Sequence, residues 1–312
     1  MTMRAAAPVA LFLFLAMPLS GGRLEMDAIK KNVRDTVEHL AGRIGQRSYR
    51  DLEKLARTAE YIEERIRSYG LDSKRQPFIY KENTYFNIIT EVKGTDAARD
   101  GILVIGAHYD TVEGTPGADD NASGIAGLLE LARLTAKNPV PRTVRFVAFT
   151  LEEPPAYMTH HMGSYVYAES LQKEGARVFG MISLEMLGYY CDEEGCQYYP
   201  ASLFKLFYPR TGNFIAFVGN LSSKEFTDSV KTAFVSSSGF PAESLSGVSI
   251  IPGVDFSDHR NFWKFDYPAF MITDTAFYRN PNYHDAGDTA DTLDYERFAR
   301  LVRDLSRAMQ SL

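Results

Sequence analysis

The chain has 312 residues, is 45% hydrophobic and carries a formal net charge of −6. That is enough apolar material for a large core, and no low-complexity tract or internal repeat interrupts it, so the chain reads as a single α/β domain rather than two. With no basic stripe and no block of like charges, nucleic acid is excluded as an expected partner.

The first residues, MTMRAAAPVALFLFLAMPLSGG, set Arg4 ahead of an apolar run from Ala5 to Leu19, broken by Pro8 and Pro18. A spanning helix needs roughly 20 apolar residues, and this run is shorter. Small residues follow it: Ser20, Gly21 and Gly22. Residues 1–22 therefore read as a secretory signal peptide, the alternative being an uncleaved anchor. The expectation is an exported protein, periplasmic or secreted, with no stable membrane insertion after cleavage. Its mature domain would span 23–312.

Ile29, Val33, Val37 and Leu40 fall at helical spacing, as do Leu52, Leu55, Ala59, Ile62 and Ile66. Gly70 stops the second of these helices. Segments 76–80 and 84–93 alternate, with aromatic and β-branched residues, and predict a strand pair turning at Lys81-Glu82-Asn83. GILVIGAHYD, from Gly101, is a continuous apolar run suited to a buried central strand. A helix over 124–137 follows, with Ile125, Leu128, Leu129 and Ala132 on one face. Strands are predicted at 143–150, 178–187, 214–220 and 268–275, and helices at 163–174 and 223–236. A last helix carries Phe298, Leu301, Val302, Leu305, Met309 and Leu312 on one stripe. Strands alternating with helices predict a three-layer αβα sandwich around a mixed, mainly parallel sheet.

Such sheets bind ligands beyond the carboxyl ends of their strands. His108 and Asp110 end the first central strand. Glu152 and Glu153 end the next, Glu185 the third, and His284 follows the last. Asp119 and Asp120, in GADDNASG, lie in the loop after the first strand. Each alone has an ordinary explanation, such as a helix cap, a turn residue or a solvated side chain. Together, four strand ends deliver His, Asp or Glu to one edge. Carboxylates ~4 Å apart repel by roughly 4 kcal/mol at an effective dielectric of about 20. Two divalent cations would turn that repulsion into attraction, and two such ions share a carboxylate. Two His with carboxylates and no Cys suits zinc, manganese or cobalt, with zinc the default for hydrolysis. Asp110 is positioned to orient His108, and Asp288 to orient His284. Asp258 and His259 border this edge or form a structural pair. His160 and His161 read as rim residues.

HYD, DDNASG, the paired EE, the strand-end carboxylate and the late YH occur here in the order found in the dizinc aminopeptidases of the secreted bacterial leucyl aminopeptidase type. Relatives of that family include glutamate carboxypeptidase and glutaminyl cyclase. The chain resembles the family from about Asn87 to Phe298, and MGS at 162–164, SDHRNFW at 257–263 and TDT at 273–275 add to the likeness. The resemblance implies a zinc-dependent exopeptidase acting on a peptide or small aminoacyl substrate. His108 and Glu185 would hold one of two divalent ions, Glu153 and His284 the other, and Asp120 would bridge them. Glu152 would take a proton from a water held between the ions, and Tyr283 would steady the tetrahedral intermediate. A cis bond between Asp120 and Asn121 is also implied. One position departs from the pattern: Glu185 stands where the best-known members carry Asp. Alternatives are a single-zinc acyltransferase resembling glutaminyl cyclase, a carboxypeptidase, and a non-catalytic ectodomain of the same fold.

Tyr189 to Asn213 shows no clear element and carries Tyr189, Tyr190, Tyr198, Tyr199, Phe204, Phe207 and Tyr208. It reads either as an aromatic wall giving an apolar side-chain pocket or as ordinary packing. Cys191 and Cys196 are too far apart for C-x-x-C, and no further Cys could complete a sulfur metal site. In an exported protein they would close a small disulfide loop; otherwise they are free thiols.

Overall fold

Eight strands form one mixed sheet in the order β1-β2-β4-β3-β5-β8-β6-β7 in the computed structural model, which describes residues 19–312. The strands are β1 (Ser73–Tyr80), β2 (Asn83–Val92), β3 (Ile102–His108), β4 (Val144–Phe149), β5 (Val178–Glu185), β6 (Ile215–Asn220), β7 (Ala242–Gly247) and β8 (Ala269–Thr273). The helices are α1 (Leu19–Val37), α2 (Leu52–Ser68), α3 (Gly124–Lys137), α4 (Gly163–Lys173), α5 (Lys224–Ser237), α6 (His259–Trp263) and α7 (Tyr295–Ala308). The central strands β4, β3, β5 and β8 run parallel. β1 and β2 add antiparallel on one side. On the other, β6 is antiparallel to β8 and parallel to β7.

The continuous apolar runs became central strands because both faces of the sheet are covered. In β3, Leu103, Ile105 and Ala107 pack into a core with α1, α2, α3, α5 and α7. Val104, between them, packs with Tyr167 and Leu171 of α4 and Phe262 of α6. This alternation sorts the helices into two layers. The α7 stripe behaves as its spacing predicts: Phe298, Leu301, Val302 and Leu305 are buried, at about 1.5–3 kcal/mol for each such side chain. Asp294 caps α7 by accepting from the amides of Glu296 and Arg297.

Two elements carry no readable sequence signal. β7, AESLSG, has no apolar alternation; it is an edge strand held by its register with β6. α6 is only five residues long, too short for a 3.6-residue period to show. In the region expected to be a signal peptide, residues 1–18 lie outside the described residues, and 19–22 form the first turn of α1. No described helix is long and apolar enough to cross a membrane.

Candidate metal centre

The carboxyl ends of β3, β4, β5 and β8 converge, as their parallel order requires. The chain turns sharply after β4 and after β5. Leu151, just before Glu152, has φ +60°, and Met186, just after Glu185, has φ +51°. Left-handed backbone at a non-glycine residue costs of order 1–3 kcal/mol unless its surroundings hold it. For Met186 the hold is visible. Its amide donates to Asn121 Oδ1 at 3.1 Å, and its carbonyl accepts from Asp274 N at 2.8 Å.

His108 Nε2 lies 3.3 Å from Asp120 Oδ1, 3.5 Å from Glu185 Oε2 and 3.9 Å from Glu152 Oε2. His284 Nε2 lies 3.2 Å from Asp120 Oδ2 and 3.4 Å from Glu153 Oε2. The two oxygens of Asp120 thus face different imidazoles. Three groups could each surround an ion: His108, Asp120 and Glu185; Asp120, Glu153 and His284; and His108, Glu152 and Glu153. All are buried except His284, which is exposed at the rim. Tyr283 stacks on His284 with ring centroids 3.8 Å apart.

The electrostatics show how ill-suited this cluster is to standing alone. Burial pushes Glu152 and Glu185 above the usual carboxylate range and Glu153 up to about 7. Burial alone would lower His108, but Glu185, Asp110 and Asp120 outweigh it and hold the imidazole well above its ordinary value. Asp120 is pulled below its usual range by the two imidazoles, against burial. Glu153 Oε1 is buried with no hydrogen-bond partner.

The supporting residues divide the work differently from the sequence expectation. Asp110 holds His108 through its backbone carbonyl, 3.1 Å from Nδ1, while its carboxylate oxygen stays 3.6 Å from that nitrogen. That carboxylate instead accepts from the amides of Glu152 and Glu153 at 3.2 and 3.1 Å. Asp288, expected to orient His284, accepts from the amides of Asp119 and Asp120 at 2.8 and 3.0 Å. It is a neighbour of the backbone that carries Asp120, not a partner of the imidazole. Asp258 is fully buried, and burial pushes it up to about 7. His259 points away, its Nε2 2.9 Å from the carbonyl of Val254. His160 and His161 pack against each other with their rings tilted by 41° and belong to none of the three groups.

Asp119 and Asp120 are adjacent, yet they part company. Asp119 accepts from Gly188 N and Asn280 Nδ2 at 2.9 and 2.8 Å and lies against Asp274. The Asp120–Asn121 bond is cis. Asn121 then ties the loop to the end of β5, donating to the carbonyl of Leu184 at 2.8 Å. Gly124 is required there: a Cβ would fall 2.2 Å from Asn121 Oδ1 and 2.5 Å from the Leu184 carbonyl. Beneath the loop, the buried Arg47 donates to the carbonyls of Tyr109, Leu40, Gly45, Pro116 and Gly117. Sequence reading gave no role to the side chains of Arg47, Asn121 and Ser257, the last with its Oγ 2.7 Å from Glu185 Oε2. SDH and DDNASG contained two of them, but nothing in those motifs says which atom each would meet.

The segment 189–213 forms a wall beside this centre. Cys191 and Cys196 form a disulfide at its start, and Arg279 pins it through Gln197, Tyr189 and Phe214. Tyr198, Tyr199, Phe204 and Tyr208 line a cleft that reaches Glu185 and Tyr283. Phe207 is exposed, and Tyr190 packs on Phe240 instead.

The sequence pattern of Peptidase family M28 matches residues 87–309. The chain belongs to peptidase family M28. It is accordingly a hydrolase of the metallo-exopeptidase class, and the family resemblance carried by its motifs holds. The uncharacterized protein YfbL of Escherichia coli is 43% identical over 88% of this chain and 86% of its own. A probable aminopeptidase of Saccharomyces cerevisiae, YDR415C, is 25% identical over 71% of this chain, but only 56% of that protein is spanned. Among solved structures, a zinc aminopeptidase from Bacillus subtilis superposes with a TM-score of 0.71 at 18% identity, covering 90% of this chain and 94% of that one. Glutaminyl cyclase of Porphyromonas gingivalis gives 0.66 at 17%, covering 90% and 98%. Both share the M28 member's fold.

Proposed function

We propose that this M28 peptidase is a zinc-dependent aminopeptidase, its catalytic unit spanning 23–312, that removes N-terminal residues from peptides at a two-ion centre. The observation that carries this reading is Asp120, whose two oxygens face His108 and His284 separately at 3.3 and 3.2 Å. The donor set fits two zinc ions. It offers imidazole nitrogen and carboxylate oxygen without thiolate, and its buried Glu153 Oε1 lacks any protein partner. His108 and Glu185 would hold one ion, Glu153 and His284 the other, with Asp120 shared. When bound, the ions would supply Lewis acidity and a readily deprotonated water.

The protein's own groups would do the rest. Glu152 is the general base. Its amide is fixed by Asp110, and its raised pKa suits taking a proton from the attacking water and returning it to the leaving amine. Tyr283 stays protonated, because burial beside Asp120 and Glu153 raises it far above its usual value, and its hydroxyl can donate to the developing oxyanion. Glu185, steadied by Ser257, would help receive the free amino terminus. The Cys191–Cys196 disulfide, with the leader-like residues 1–22, supports an exported location.

The test pairs metal analysis with aminoacyl, carboxyl-terminal and N-terminal glutaminyl substrates. Two equivalents of zinc and chelator-sensitive aminopeptidase activity are expected. Glu152→Gln should keep both equivalents and lose about 10²–10⁴-fold in kcat. Retained turnover would remove Glu152 as base, and one equivalent with cyclising activity would replace the reading altogether.

A further inference from the structure

The cleft beside the metal centre is not uniformly apolar. A row of residues in register crosses its floor: Glu185 pairs with Thr273, Thr273 with Ala216, and Ala216 with Glu243. Directly paired residues share a face of the sheet, so all four side chains point to the same side. Neighbouring strands lie about 4.8 Å apart, which sets the Cα of Glu243 about 14 Å from that of Glu185. Between them the floor is low, made of Ala216 and Thr273. Above it stand Tyr199, Phe204 and Tyr208, near-parallel rings with centroids 5.9–6.3 Å apart. The cleft therefore has the metal centre at one end, a second carboxylate at the other, and aromatic faces between.

Glu243 is unspent. Among the described residues its carboxylate makes no hydrogen bond and no ion pair, although it is half-buried. Lys231 acts on it electrostatically, but its Nζ is bonded at 3.0 Å to Ser244 Oγ. Ser244 is the next residue along β7, so its side chain points to the opposite face. Burial raises the Glu243 carboxyl above its ordinary range, as it does when no cation offsets the lost water.

We propose that Glu243 makes this cleft a pocket for a long cationic side chain, lysine or arginine, at the N-terminal position of the substrate. The inference rests on the aminopeptidase reading above. With the amino terminus near Glu185 and the scissile carbonyl at the metal centre, the first side chain runs along the row toward β7. A lysine or arginine side chain reaches roughly 6–7 Å from its Cα on standard bond lengths, and leucine less than half of that. The aliphatic stem lies on the low floor, the charged head passes the aromatic faces, and the carboxylate receives it.

The test compares kcat/KM of the zinc-loaded full chain for Arg-, Lys-, Leu- and Phe-p-nitroanilide. Arginine and lysine should exceed leucine at least ten-fold, and Glu243→Gln should lower the Arg/Leu ratio at least ten-fold. The ratio is insensitive to partial loss of folding or of metal. If Leu and Phe are cleaved but Arg and Lys are not, or if Glu243→Gln leaves the ratio in place, this inference is overturned and the aminopeptidase reading stands. If none of the four is cleaved, that reading fails and this one falls with it. Calorimetric titration of the free amino acids L-arginine and L-leucine, which have no bond to hydrolyse, gives a readout without turnover. The Arg/Leu affinity ratio should fall at least ten-fold in Glu243→Gln, and an unchanged ratio there also overturns the proposal.

Discussion

Replacing Arg47 by Met should destabilise the protein strongly. The side chain is fully buried and donates to five backbone carbonyls at 2.8–3.0 Å. Holding the charge there is costly. Burial lowers its pKa from 12.5 to about 10, equivalent to about 3 kcal/mol. Against that, hydrogen bonds from a charged donor contribute about 1.5–3 kcal/mol each, so five supply roughly 8–15 kcal/mol gross. Methionine fills similar volume but leaves the carbonyl of Tyr109 without a partner, whereas that of Gly117 keeps the Ala122 amide at 3.1 Å. The net loss should be about 4 kcal/mol or more, and Arg47→Lys should lose an intermediate amount, because an ammonium has only three donors. Urea unfolding of the zinc-free chain measures this directly. Zinc stoichiometry should fall as well, since the loop from Pro116 to Asp120 rests on these bonds. A loss under 1 kcal/mol for Arg47→Met would refute the reasoning, because the carbonyls would then have found other partners.

The adjacent aspartates should respond differently to the same change. Asp120→Asn removes one of the two oxygens facing the imidazoles and should lower bound zinc below two equivalents. Asp119→Asn relieves a buried acid pair with Asp274 but gives up the bond from Gly188 or from Asn280, so it should keep zinc content while costing about 1–3 kcal/mol of stability; equal zinc loss in both variants would contradict the assigned division. Asp110→Asn can accept from only one of the Glu152 and Glu153 amides, so kcat should fall at least ten-fold with KM little changed; a change confined to KM would argue against this role. His259 is buried and neutral, with its pKa lowered to about 4 from 6.5. The unfolded chain therefore binds the extra proton between those values, and the contribution is intact above pH 6.5 and lost as pH falls toward 4. Wild type should lose about 2–3 kcal/mol more than His259→Gln between pH 7 and 4.5; parallel urea midpoints in the two proteins would exclude it.

What could be read along the chain was whatever is local or periodic. The apolar run before His108 forces a buried strand, and a buried strand must end at an edge, so His108 arrives there whatever the rest does. The same holds for Glu185 after β5 and Glu152 after β4. Motif order then names the family and its candidate ligands. Partners chosen across long separations left no such trace. Asn121 meets Leu184 63 residues away, and Asp288 meets Asp119 169 residues away. Each is an ordinary polar residue until the fold selects its neighbour, which is why Asp288 was expected at His284 and lies instead behind Asp120.

The sequence by itself determined the layered α/β fold, the family, and the set of imidazoles and carboxylates delivered to one sheet edge, because hydrophobic period and strand ends are properties of short segments. Only the tertiary structure decided that Asp288 lies behind Asp120 rather than at His284, why Arg47 is buried, and that Glu243, on a strand with no apolar pattern, falls in register with Glu185. Those outcomes depend on the pairing of strands and loops far apart in the chain, and the direction of a side chain at such a pairing is set by its neighbours rather than by its own identity.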